Sequence, residues 1–146
     1  MAHHTKDKGD FAVAAVVKDL IFHDIQVCFP LSEHLPFDLI AVNLDDFRLA
    51  KIQVKYSSLN KGVATLNLRS SYADRNGSHP KTVDRSTFDA YAVYCPDVDQ
   101  VYYVRVCEIP ETYKNRMILR VETPKNNEAQ NVNFAKSYLG ASRIFE

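Results

Sequence analysis

The stretch Pro36–Ser58, PFDLIAVNLDDFRLAKIQVKYSS, decides the reading of this chain. It divides into two strand-like runs about a turn. Phe37–Val42 is apolar apart from Asp38. Arg48–Tyr56 alternates Ile52, Val54 and Tyr56 with Gln53 and Lys55. Asp45-Asp46, between Leu44 and Phe47, has the composition of a turn. If the hairpin closes symmetrically about that pair, opposed residues have numbers summing to 91, and Asp38 faces Gln53. Lys55 then lies two residues further along the same face, because strand side chains alternate with period two. The opposite faces, Phe37, Leu39 and Ala41 with Ala50, Ile52 and Val54, are free to be buried. A one-residue bulge would break this register.

A carboxylate, an amide and an ammonium at the open end of one hairpin form a chemically legible set. Carboxylate and amide oxygens are hard ligands suited to Mg²⁺. A neighbouring lysine stabilises a phosphoryl oxyanion, or orients and deprotonates water. On spacing alone the plainer reading is better supported: a strand-end aspartate and two solvated polar residues.

The pattern Asp38 … Gln53-Val54-Lys55 resembles the PD-(D/E)xK nuclease superfamily, with glutamine where most members carry Asp or Glu. Phe37 stands where that motif often has proline, and Pro36 is one residue away. The glutamine-bearing branch, which includes intron-encoded homing endonucleases, has three separated motifs. Lys8-Gly9-Asp10, Phe37-Asp38-Leu39 and Ile52-Gln53-Val54-Lys55 match them in order and spacing. The resemblance runs from about Thr5 to the C-terminus. It implies a restriction-endonuclease-like α/β fold, a mixed β-sheet flanked by helices in a single domain over residues 1–146. It also implies Mg²⁺-dependent, site-specific hydrolysis of double-stranded DNA by a homotetramer. Asp38 and Gln53 would hold the metal, and Lys55 would orient water or counter charge. Val13 occupies a position where that branch usually has a glutamate that shapes the metal site. Valine cannot bind metal, so this departure bears on activity. Asp10, one helical turn earlier, is either a partial substitute or a charge complementing the helix dipole.

The chain has 146 residues, 46% hydrophobic and 25% charged, enough for one domain with a core. No apolar run has membrane-spanning length, and no signal-peptide core precedes the first motif. Met1-Ala2-His3-His4 reads as the remnant of an expression tag or as a natural N-terminus. Cys28, Cys95 and Cys107 lie in apolar strand-like stretches, which predicts reduced core thiols and a cytoplasmic setting. No Cys/His spacing suggests zinc.

Formal net charge is zero, which by itself disfavours a nucleic-acid protein. Its distribution is uneven: residues 51–85 carry seven bases and two acids, residues 1–50 sum to −4 and residues 86–146 to −1. A basic middle suits one DNA-facing surface. Within it, Arg69–Arg85, RSSYADRNGSHPKTVDR, can build little core and contains an Asn-Gly turn. Lys61, Arg69, Arg75, Lys81 and Arg85 are candidates for DNA phosphates and base edges, with Asn76, Ser78 and His79 as hydrogen-bonding partners. A mobile surface loop is the alternative.

Elsewhere the spacing of Val13, Val16, Val17 and Leu20 predicts a helix over Phe11–Phe22, capped by Thr5 or Asp7. Strands are expected at Ile25–Phe29, Val63–Leu68 and Met117–Val121. Phe88–Tyr94 and Val101–Val106 read as a second hairpin, its Phe88, Tyr91, Val93, Tyr102 and Val104 as core rather than a base-stacking platform. Glu33 reads as exposed, and His34 has only its proximity to Asp38 to suggest a role. Val132–Leu139 has weak helical spacing before Gly140. The 124–130 loop carries Asn126-Asn127-Glu128, whose glutamate would weaken a DNA contact there. Three other functions stay open. One is a DNA-binding module that does not cut, another a restriction or Holliday-junction nuclease. The third is an interaction protein with no nucleic-acid partner.

Overall fold

The computed structural model describes residues 4–126 and 130–146, without the side chains of Tyr72 and Ala73. Asn127 and Glu128, read above as part of a loop near DNA, fall outside the described residues. The chain opens with helix α1, Thr5–Phe22, which starts six residues before the expected Phe11. Neither Thr5 nor Asp7 caps it: His4 is the N-cap and contributes no side-chain bond. Asp7 lies in the first turn, where its charge complements the helix dipole. The buried stripe is Ala12, Val16 and Leu20, with Val13 half-buried beside it. Ala12 replaces Val13 in the stripe because the sheet beneath is floored by Ala41, Ala50, Ala90 and Ala92. Small residues on both sides let the helix approach closely. Asp24, at φ 60°, turns the chain out of the helix into the first strand.

Five strands form the central sheet: β1 (Ile25–Cys28), β2 (Leu39–Asn43), β3 (Leu49–Tyr56), β7 (Ala90–Cys95) and β8 (Gln100–Arg105), in the order β1-β2-β3-β7-β8. All neighbours are antiparallel except β3 and β7, which are parallel. A parallel pair needs a long crossover. Here it carries β4 (Val63–Asn67) and the ribbon β5 (Ser70–Asp74) and β6 (Gly77–Lys81). β4 then pairs with β9 (Arg116–Arg120) as a separate two-stranded sheet.

The β2–β3 hairpin has the register expected of it. Leu39 opposes Ile52, Ala41 opposes Ala50 and Val42 opposes Leu49, each pair summing to 91. The turn is a four-residue loop centred on Asp45-Asp46 rather than a two-residue one. Phe47 N donates to Asn43 O at 2.8 Å, with Phe47 in the left-handed region at φ 57°. The strand begins at Leu39 and not at Phe37, which packs instead with the opposite core.

Side-chain alternation divides the interior in two. One core lies under α1 and contains Leu39, Ile52, Tyr94 and Tyr103. The other contains Phe88, Tyr91, Val93, Tyr102 and Val104, covered by Ala64, Leu66, Met117 and Leu119 from β4 and β9. The aromatics of the second hairpin are therefore core, each large side chain contributing about 1.5–3 kcal/mol by burial. The fold is mixed α/β as expected, but a β-pair covers the second face where a helix was anticipated. Val132–Leu139 forms no α-helix either: short 3-10 turns occur at Ala135–Tyr138 and Ala141–Phe145. Ala135 packs in the second core, and Ala141 and Ile144 in the first. Gly140, at φ 100°, allows the change of direction between them. Of the three thiols, all free, Cys95 is buried, but Cys28 and Cys107 are exposed. Cys28 points off the edge strand β1 and Cys107 sits in a 3-10 turn, so neither is the core thiol anticipated. Among the described residues no helix is long and apolar enough to cross a membrane.

Candidate active site

Strand β3 is central, with β2 on one side and β7 on the other. Its Ala50 and Ile52 enter the core under α1, and Val54 and Tyr56 pack against that core. Period-two alternation sends Gln53 and Lys55 to the other face. Their register partners on β7 are Tyr91 and Val93, both in the second core. Asp38 stands one residue before β2, just beyond the last paired residues, Leu39 and Ile52. Its backbone N donates to Ile52 O at 2.9 Å, and its Oδ2 accepts from Val54 N at 2.6 Å. The carboxylate thus occupies the edge of β3 where β2 has ended. Oδ1 has no hydrogen-bond partner among the described residues.

Electrostatics link Asp38 and Lys55. Asp38 reaches solvent on one flank, yet burial raises its carboxyl above the ordinary range; the Val54 N–H and the Lys55 charge oppose the shift without cancelling it. Burial lowers Lys55 below the usual lysine range, and the charge of Asp38 opposes that. Each charge thus supports the other in surroundings that favour the neutral forms. Lowering a lysine's pKa enlarges the fraction that is unprotonated and free to accept a proton.

Gln53 bears on metal binding. Its Oε1 is buried and has no hydrogen-bond partner among the described residues. An orphaned buried acceptor costs about 1–3 kcal/mol, and a bound cation would satisfy it. Together with Asp38 Oδ1 it offers one carboxylate and one carbonyl oxygen. That donor set suits a cation such as Mg²⁺, which keeps several waters and takes the rest of its shell from phosphate. Among the described residues no group of three or more His, Cys, Asp or Glu stands ready to hold a metal.

The other expected residues are dispersed. Val13 is half-buried on α1 and belongs to neither core cluster. Asp10 is exposed on the same helix and makes no hydrogen bond or ion pair among the described residues. The start of α1 lies over the far ends of β3 and β7, with Lys8 Nζ 5.7 Å from the Tyr56 ring centre and Phe11 edge-on to Tyr94. Glu33 and His34 are exposed in the loop before Asp38.

Arg69–Arg85 is an ordered ribbon rather than a loop. Arg75 and Asn76 form its tip, and Gly77 at φ 117° completes the turn. Arg75, Asn76, Ser78 and Lys81 are exposed. His79 is half-buried, its Nε2 2.9 Å from Asp74 Oδ1, so it braces the ribbon. Arg69 precedes β5, and Arg85 opens a 3-10 turn, Arg85–Thr87, leading to β7. Lys61 lies apart, in the β3–β4 turn beside Glu122 and Arg120.

Sequence reading treated Tyr91 as core alone. Its ring is core, but its hydroxyl is buried without a partner, on the strand next to Gln53. Burial pushes that hydroxyl up to about 12, against the positive charge of Arg85. Only the parallel pairing of β3 with β7 brings it to Gln53, and no local pattern announces that pairing.

Comparison with known proteins bears on this geometry. A model of the PD-(D/E)XK endonuclease family matches residues 3–140. Among solved structures, the chain is similar to a bacterial homing endonuclease, I-Ssp6803I. The two are 25% identical, the match covers 98% of this chain and 93% of that one, and the TM-score is 0.76. No curated protein matches.

Proposed function

Because the chain belongs to the PD-(D/E)XK endonuclease family, we propose that it is a Mg²⁺-dependent, site-specific endonuclease of duplex DNA, a homing endonuclease. Nucleases of this family generally use divalent metal ions. The observation that carries the reading is the buried Gln53 Oε1, without a hydrogen-bond partner among the described residues, on the same strand face as Lys55, with the Asp38 carboxylate held at the edge of that strand by Val54 N–H. Asp38 and Gln53 hold the cation. Once bound, it supplies Lewis-acid stabilisation of charge on the scissile phosphate. Lys55, its proton affinity lowered by burial, orients the attacking water and accepts its proton. The Val54 N–H keeps Asp38 oriented, so the free oxygen remains available. The exposed cations of the β5–β6 ribbon, Arg75 and Lys81, contact DNA, with Arg69 and Arg85 at its base. One chain of this size offers less surface than a long asymmetric target needs, which favours a homo-oligomer, a tetramer by analogy.

A second reading, a DNA-binding protein impaired in cleavage, draws on one observation: Val13 stands where the resemblance calls for a glutamate. One experiment separates the two. Supercoiled plasmid bearing the uninterrupted insertion site is incubated with Mg²⁺ or with EDTA, using this chain and Val13→Glu. Cleavage by both with Mg²⁺ alone supports the nuclease and makes the helix acid dispensable. Cleavage by Val13→Glu alone supports a nuclease held inactive at position 13. DNA binding without cleavage by either supports the second reading.

A further inference from the structure

A cavity of about 330 Å³ at the base of the β5–β6 ribbon is lined by Leu68, Arg69, Thr82, Val83, Arg85 and Lys114. Three of these six are cations and none is an acid. None of the three forms an ion pair among the described residues. Two of them come from segments that meet at the end of one strand pair. The β4–β9 register ends at Asn67 opposite Arg116, and Leu68 N donates to Asn115 O at 2.9 Å. Arg69 and Lys114, next along each segment, line the same cavity. Like charges gathered in one cavity repel. Arg85 adds a third charge, and its Nη1 is buried without a hydrogen-bond partner among the described residues. A buried guanidinium nitrogen left unpaired is costly. An anion with oxygens on several sides would relieve all three, and arginine's planar fork matches phosphate oxygens.

The cavity's position indicates which anion. Arg69 begins the ribbon and Arg85 ends its return. Three residues after Arg85 comes Phe88, whose ring meets Tyr91 edge-on at 4.9 Å, and Tyr91 is the β7 neighbour of Gln53. The cavity thus lies at the base of the ribbon, and the charge of Arg85 that lines it also acts on the hydroxyl of Tyr91, the β7 neighbour of Gln53. We propose that it binds one backbone phosphate of the DNA, flanking the scissile one, and that Lys114 completes the cradle from a part of the chain remote from Arg69 and Arg85. The inference rests on the endonuclease reading and names a contact of that substrate.

The test is the salt dependence of binding to a labelled duplex, followed by fluorescence anisotropy with Ca²⁺ in place of Mg²⁺. The proteins are the full chain and its Arg69→Gln/Arg85→Gln/Lys114→Gln variant. If three cations share one phosphate, the variant's log–log salt slope is shallower by about 0.9, roughly an eightfold loss of affinity at 0.1 M salt. A change of about 2.7 means three separate contacts and overturns the single cradle. No change removes the cavity from the interface. Lys114→Gln alone is a second test, because Lys114 is exposed and its replacement spares the fold. It should weaken binding several-fold on unrelated sequences alike. Undiminished affinity excludes Lys114. Inorganic phosphate serves as the probe for a free-anion site. If it raises the Tm of the full chain but not of the triple variant, while the DNA slopes agree, the cavity holds free phosphate and the DNA assignment fails. Plasmid cleavage run in parallel separates the two inferences. Cutting with unchanged slopes leaves the nuclease and removes the cradle, and the expected slope loss without cutting does the reverse.

Discussion

Asp38 serves two purposes that substitution can separate. Its Oδ2 accepts the Val54 N–H at 2.6 Å, and its charge is proposed to hold the metal. Asp38→Ala removes both. The hydrogen bond is charge-assisted but partly open to solvent, so its loss should cost about 1–2 kcal/mol. Unfolding entropy scales with length, and for a chain of 146 residues each kcal/mol shifts Tm by roughly 3 °C. Asp38→Ala should therefore melt about 3–7 °C lower. Asp38→Asn keeps an acceptor for Val54 N–H and removes the charge. It also relieves the burial that raises the carboxyl, so it should melt within about 2 °C of the parent. Both should lose cleavage by about 10²–10³-fold or more. Calorimetry gives the Tm, and Mg²⁺-dependent plasmid linearisation gives the rate. An Asp38→Asn protein that cuts at the parental rate would refute the metal role. One that melts as low as Asp38→Ala would show that the Val54 bond is not what the carboxylate contributes to stability.

Other expectations follow from the same geometry. Lys55→Met should abolish cleavage and push the Asp38 carboxyl further up, because the Lys55 charge opposes the effect of its burial; retained cutting would remove Lys55 from the chemistry. Replacing Arg75 and Lys81 together with alanine should weaken DNA binding and flatten its salt slope by about 1–2, and an unaltered slope would exclude the ribbon from the interface. Glu108 accepts hydrogen bonds from Arg105 Nη2 at 3.1 Å, Arg105 N at 3.0 Å and Arg143 Nη2 at 2.5 Å. Burial alone would raise its carboxyl, but these bonds hold it below its ordinary 4.5. Its stabilisation is therefore complete above that value and lost as pH falls through the lower folded pKa. Glu108→Gln should cost about 1–3 kcal/mol at neutral pH and flatten the acid limb of a Tm–pH curve, and an identical acid limb would contradict the pairing.

The β2–β3 hairpin was legible from sequence because its information is local. Alternation about Asp45-Asp46 dictates which residues share a face, and symmetric closure of a short loop sets the register without reference to the rest of the chain. Gln53 and Lys55 could therefore be placed on one face beforehand, with Asp38 expected near them at the open end. The helix was legible for the same reason, although its stripe shifted from Val13 to Ala12. Periodicity allowed either residue, and the alanine floor contributed by three strands decided between them. The tail at Val132–Leu139 misled in the same way: its weak period gave way to packing against two different cores.

Sequence by itself thus determined the hairpin, its register and the identity of three chemical groups at its open end. Tertiary structure alone decided what surrounds them. The parallel union of β3 and β7 set Tyr91 beside Gln53 across more than thirty intervening residues. The pairing of β4 with β9 brought Lys114 to Arg69. The burial that moves the proton affinities of Asp38 and Lys55 also exists only once both faces of the sheet are covered. Such contacts depend on closing long loops, whose entropy varies only slowly with length. No short pattern in the chain therefore records which distant segments will meet.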